Sequence, residues 1–183
     1  MMNDNKHTYQ QLKSYFENEI FDKEELVTMI HENKLYDVCF DLAMTNDNPA
    51  AWRSAWVLSA CRKKYPEQCK KYLPDVIRAL PLITRDGQIR ELLKIFRNLA
   101  YEELPEQETG LLFDFCMHTF QDAAKQPGTR STALQVLLIF ARKEPDLLGE
   151  IQAAFHFIKP QLSKGIRQSC EHKINRLQNE YEC

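Results

Sequence analysis

At 183 residues the chain is long enough for one domain that buries its own core, so neither a disulfide nor a metal staple is required. Hydrophobic residues make up 44% and charged residues 27%, which excludes a disordered body, and a net charge of −2 argues against a basic nucleic-acid binder. Glycine is scarce, at 5 residues, while Leu, Ala, Glu, Lys, Gln and Arg are plentiful, a balance that favours helices over strands.

The first residues, MMNDNKH, are polar and lack the apolar run of a signal peptide. Apolar stretches such as Ala133 to Ala141 fall far short of the roughly 20 residues of a membrane span. The expectation is a cytoplasmic protein without membrane contact, with Cys39, Cys61, Cys69, Cys116, Cys170 and Cys183 as free thiols.

Apolar residues recur at helical spacing, and no period-2 strand stands out. Thr8 is placed to cap a first helix carrying Tyr9, Leu12, Tyr15 and Phe16. Asp22 and Glu25 read as a capping box for a second, carrying Leu26, Met29 and Ile30. A third runs from about Lys34 to Met44 on the stripe Leu35, Val38, Cys39, Leu42. Asn48-Pro49 reads as cap and first helical residue of a fourth, apolar on most sides and therefore central. Tyr65-Pro66 ends it. Leu73 to Leu82 follows, then Asp86 as the cap of Gln88 to Leu99, then Glu106 to Ala124. Gln126-Pro127-Gly128 reads as a break, with Thr129 or Ser131 restarting a helix that Pro145 stops. Asp146 caps Leu147 to Ile158, and Pro160 precedes a last helix over roughly 161–181, making ten or eleven in all.

An internal echo orders these elements. RKKYPE at 62–67 aligns with ARKEPD at 141–146 at an offset of 79, which puts Val57 on Val136, Leu58 on Leu137 and Cys61 on Phe140. At an offset of 38, Ala55, Val57, Leu58 and Cys61 fall on Leu93, Ile95, Phe96 and Leu99. A unit of 38–41 residues lies close to the roughly 40–47 of HEAT and armadillo repeats.

Residues 48–82 carry the resemblance most fully. They have a capped first helix with Arg53 in its first turns, small Ala55 two positions later, a Pro-containing connection and a second helix opening on Leu73-Pro74. The chain resembles a short bacterial protein of the HEAT/armadillo type, well over 48–160 and weakly over 8–46. It departs from the pattern after Leu82, where Ile83-Thr84-Arg85 stand in place of the Asp that often closes a unit. The resemblance implies an all-α fold, an αα-superhelix or HEAT-like helical repeat array. It implies one domain over 1–183, with 1–46 as an irregular N-terminal cap, 48–160 as helix pairs and 161–183 as a C-terminal capping helix. It also implies that Arg53 pairs with an acidic residue of a neighbouring unit.

Charge is segregated: residues 1–50 hold 4 basic and 10 acidic side chains, whereas 51–100 hold 11 and 4. Arg62, Lys63, Lys64, Lys70, Lys71 and Arg78 form the candidate partner-binding surface, one edge of cations able to steer an acidic partner. Glu67 interrupts the run, and a helix dipole favours cations at a last turn without any ligand. An acidic protein surface is therefore preferred over nucleic acid as the partner. Trp52 and Trp56, four apart, share a helix face. They read as a core wedge; exposed, they would stack on bases or anchor a peptide.

Cys116-Met117-His118 and Cys170-Glu171-His172 set thiol and imidazole two apart, on different helix faces, so neither pair chelates a metal by itself. No G-x-S-x-G, phosphate loop or H-E-x-x-H occurs, so no catalytic residue, metal or cofactor is assigned. The reading is a non-enzymatic protein–protein interaction module. The alternative is a nucleic-acid-binding or DNA-repair protein, like the HEAT-like DNA glycosylases of bacteria that use aromatic and acidic residues in a basic groove.

Overall fold

The structure, a computed structural model, describes residues 2–17, 22–99 and 104–182. These residues form eleven α-helices and no strand. The helices are α1 (Met2–Glu17), α2 (Lys23–Glu32), α3 (Tyr36–Ala43), α4 (Ala50–Lys64), α5 (Pro66–Lys70), α6 (Leu73–Ala79), α7 (Asp86–Lys94), α8 (Glu106–Gln121), α9 (Pro127–Lys143), α10 (Leu147–Ile158) and α11 (Lys164–Glu182). Tight 3-10 turns follow α6, α7 and α10. The chain divides into two units, Met1–Asn98 and Leu99–Cys183, each with its own interior.

In the first unit α4 is central, touching α1, α2, α3, α5 and α7. Its sequence explains this. Ala50, Ala51, Ser54 and Ala55 are all buried and small, so neighbouring helices approach closely, while Val57, Leu58 and Cys61 fill the interior between them. Burying a side chain such as Leu58 contributes about 1.5–3 kcal/mol. The one buried hydroxyl in this stretch is satisfied: Ser54 Oγ donates to the Cys39 carbonyl at 2.8 Å.

Several helix starts differ from the sequence reading. α1 begins at Met2, so Thr8 lies inside it and caps nothing. Asp22 does cap α2, its Oδ1 accepting from the amides of Glu24 and Glu25 at 2.7 and 3.0 Å. Between α2 and α3, Lys34 takes the left-handed region at φ 55°, the conformation that commonly closes a helix. The buried stripe of α3 is Tyr36, Cys39, Phe40, Leu42 and Ala43, with Leu35 and Val38 only half-buried.

At α4, Pro49 occupies the capping position after a cis Asn48–Pro49 bond, and Asn48 is no cap. Its amide instead donates to Gln88 Oε1 and the Asn46 carbonyl, each at 3.2 Å, because the buried Gln88 needs a partner there. Asp86 is the first residue of α7 rather than its cap; Arg85 holds the cap position with no side-chain bond. An acidic side chain in a first turn is still favourable to the dipole.

In the second unit α9 is central, contacting α8, α10 and α11. It opens on Pro127, where the sequence reading expects a break. A proline at the first helical position lacks only an amide that would have no partner there, so the helix starts before Thr129. α8 runs through Gly110 without interruption and ends at Gln121.

The internal echo lands on equivalent structure. Val57, Leu58 and Cys61 in α4 and Val136, Leu137 and Phe140 in α9 are all buried, as are Leu93, Ile95, Phe96 and Leu99. The two helices also end alike. Tyr65 (φ −133°, ψ 66°) and Glu144 (φ −123°, ψ 86°) each precede a proline, and their amides donate to the carbonyls of Cys61 and Phe140.

Candidate functional site

The connection leading into α4 is bonded to the one leading into α7. Asn46 Nδ2 donates to the Leu82 carbonyl at 3.0 Å, and Asn46 Oδ1 accepts from the amide and hydroxyl of Thr84 at 3.0 and 3.1 Å. From α7, fully buried Gln88 donates through Nε2 to the carbonyls of Ala43 (2.9 Å) and Thr45 (2.6 Å). Asn46 and Thr84 are 38 residues apart, so the tie joins equivalent points of two repeats. Sequence reasoning missed both amides, since no motif marks a side chain that bonds distant backbone.

The six cations proposed from sequence do not form one uniform edge. Arg62 is only 3% exposed, and its Nη1 donates to the Pro66 carbonyl at 2.8 Å, tying the end of α4 to the start of α5. It is therefore corrected from a surface residue to an interior one. The signal was present: Arg62 stands four residues after Leu58, on the buried stripe of α4. Lys71 and Arg78 are exposed but engaged, Lys71 with Asp37 at 3.1 Å and Arg78 with Asp75 at 3.0 Å. Tyr72 donates to the same Asp37 oxygen at 2.7 Å. That bond first, then Lys71, holds the Asp37 carboxyl below its ordinary value. Lys63, Lys64 and Lys70 are exposed, and Lys64 also lies 5.2 Å over the Tyr65 ring.

The Trp52–Trp56 pair is not a core wedge: both rings are half-buried. Their planes are within 5° of parallel with centroids 6.4 Å apart, as i, i+4 positions on one face permit. Lys23 Nζ stands 5.2 Å over Trp56 and Arg85 Cζ 5.6 Å over Trp52, so a cation lies over each ring. Gly87 in α7 lies beside Trp52; a Cβ there would sit 3.4 Å from Trp52 Nε1, an ordinary van der Waals contact. Arg53 Nη1 donates to the Phe16 carbonyl at 2.9 Å, near the end of α1.

Glu91 in α7 is another residue the sequence reading missed. It is 1% exposed, and its carboxylate accepts from Arg90 at 3.2 Å and from Lys94 at 2.8 and 2.9 Å. A buried carboxylate is costly unless paired and bonded in this way.

Cys39, Cys61, Cys69, Cys116 and Cys170 are free and buried, while Cys183 lies outside the described residues. Burial pushes the thiols of Cys39 and Cys69 up to about 12, which leaves them protonated and inert at neutral pH. In a Cys183→Ser variant, a disulfide reagent should therefore label no thiol of the native chain and five after denaturation, read by absorbance of the released thiolate. Prompt labelling before denaturation would contradict the buried placement. Among the described residues no group of three or more His, Cys, Asp or Glu side chains is arranged to hold a metal ion. No described helix is long and apolar enough to cross a membrane.

Helices packed as neighbours, buried at matching positions and tied connection to connection define an all-α helical-repeat protein. A family model for the HEAT repeat domain matches residues 9–176. The chain belongs to that family, and the match takes in most of the N-terminal region where the resemblance was weak. No curated protein and no solved structure matches it.

Proposed function

We propose that the chain is a non-enzymatic protein–protein interaction module of the cytoplasm. Its membership of the HEAT repeat family over residues 9–176 carries this reading. Repeats of this class contact mainly their neighbours and so leave long surfaces for a partner. Five buried, reduced cysteines suit a reducing compartment.

The partner presents an acidic surface to the edge that α4, α5 and α6 share. Lys63, Lys64 and Lys70 make the contact, and Lys71 and Arg78, paired with Asp37 and Asp75, flank them. Arg62 fixes the turn between α4 and α5 from within. Exposed cations of this kind mainly raise the rate of encounter and set specificity.

Affinity capture from source-cell lysate, with and without nuclease, tests this. The expected result is a protein captured equally in both conditions and lost when Lys63, Lys64 and Lys70 are changed to Glu. Purified chain should bind oligonucleotides no tighter than about 10⁻⁴ M at physiological salt, the weak end of non-specific affinity. Capture that nuclease abolishes, together with micromolar oligonucleotide binding, would put nucleic acid in the partner's place.

A further inference from the structure

We propose that the tryptophan row of α4 is a second docking site in the same unit, and that it takes an acidic peptide segment of a partner protein. This rests on the interaction-module reading and adds to it a separate surface with its own chemistry.

Trp52 and Trp56 are the two tryptophans of the chain, and both stand half-buried in one row on α4. Tryptophan and arginine dominate the energetic centres of protein interfaces, because a large ring and a planar cation bury much area at little entropic cost. Here Arg85 stands over Trp52, and the ammonium of Lys23 stands over Trp56.

The neighbouring face of α7 has the same sign of charge. Gly87 abuts Trp52, and Arg90, Glu91 and Lys94 follow it at spacings that share one helix face. Of these three, Glu91 is buried at 1% side-chain exposure, while Arg90 and Lys94 keep 35% and 29%. The acid is inside and its two cations reach solvent. On the α2 side, Lys23 lies 3.8 Å from the exposed Glu24 carboxylate, a surface pair of little worth that a better acceptor would displace.

The ring geometry favours carboxylates over nucleic-acid bases. A base gains its affinity by lying flat on a bare aromatic face. Each indole here already has a cation over it, so a base would have to displace an ammonium or a guanidinium. A carboxylate leaves both cations over their rings and displaces only the weak Glu24 contact of Lys23. An ammonium has three N–H donors and a guanidinium five, and those not directed at the ring remain for an incoming acid.

Intrinsic fluorescence tests the site directly, since both emitting tryptophans lie in it. In the full chain, iodide should quench the emission more strongly than caesium, because the local field is positive. A synthetic peptide of alternating Glu and Leu should shift the emission and protect it from iodide. Its Lys-for-Glu counterpart and a single-stranded oligothymidylate should do neither. Charge reversal at Lys23 and Arg85 together should weaken the peptide response about tenfold, with circular dichroism unchanged. Should that variant unfold, Arg85→Gln serves in its place with the same expectation in direction. The Lys63, Lys64 and Lys70 reversal should leave the response intact.

Three results would overturn the proposal. One is protection by the oligonucleotide and not by the peptide. Another is caesium quenching as strong as iodide quenching. The third is peptide binding, seen by anisotropy of a labelled peptide, with no change in tryptophan emission. That last result would still leave the interaction module and its lysine edge standing.

Discussion

Phe140→Ala should remove about 3–5 kcal/mol from the unfolding free energy, a large part of the total for a domain of this kind. The ring is 1% exposed in α9 and meets Phe113 edge to face with centroids 5.9 Å apart. Truncation leaves a cavity that helices on several sides cannot close together. Trp56→Ala, by contrast, should cost clearly less, although tryptophan is the larger side chain. Its ring is half in water already, and part of what it loses is the cation of Lys23. Urea or guanidinium unfolding of the two variants side by side reads the difference. Equal losses would return Trp56 to the interior, where helical spacing alone places it.

Gln88→Leu should be nearly as damaging, despite adding apolar bulk to a buried position. The substitution removes the amide that serves the carbonyls of Ala43 and Thr45, and it orphans the Asn48 bond as well. Each buried polar group left without a partner costs about 1–3 kcal/mol. The Asn46 bonds to Leu82 and Thr84 should weaken with it, because both amides hold the same pair of connections. Hydrogen exchange at the Thr84 amide would show this: faster exchange in Q88L is expected, and unchanged exchange together with unchanged stability would contradict the role given to the tie.

The fold was legible wherever burial repeats along the chain. Val57, Leu58 and Cys61 could be matched to Val136, Leu137 and Phe140 because interior positions tolerate little beyond apolar residues, and the structure buries all six. Asp22 was legible as a cap because a carboxylate that bonds its own next turn is a local event. The same reasoning fails at Asn48 because a distant residue, Gln88, competes for its amide. The candidate surface was harder to read. Spacing puts Trp52 and Trp56 on one face but does not say whether that face meets a helix or water. Likewise a basic run shows charge, but not that Arg62 turns inward or that Asp37, 34 residues earlier, engages Lys71. Pairings across helices depend on where the backbone goes, and single residues such as Asn46 and Glu91 leave no periodic trace.

The reach of these cross-helix ties along the chain bears on how the protein folds. Asn46 reaches Leu82 across 36 residues and Gln88 reaches Ala43 across 45; in the other unit Lys173 reaches Ser131 across 42, and Tyr181 donates to the Ala141 carbonyl across 40. Each closes a loop of about one repeat. The entropy of closing a loop grows only with the logarithm of its length, so these closures carry nearly the same cost wherever they occur. Neither unit then has to wait for the other to bring remote segments together. Folding can nucleate in either and spread to neighbouring helices.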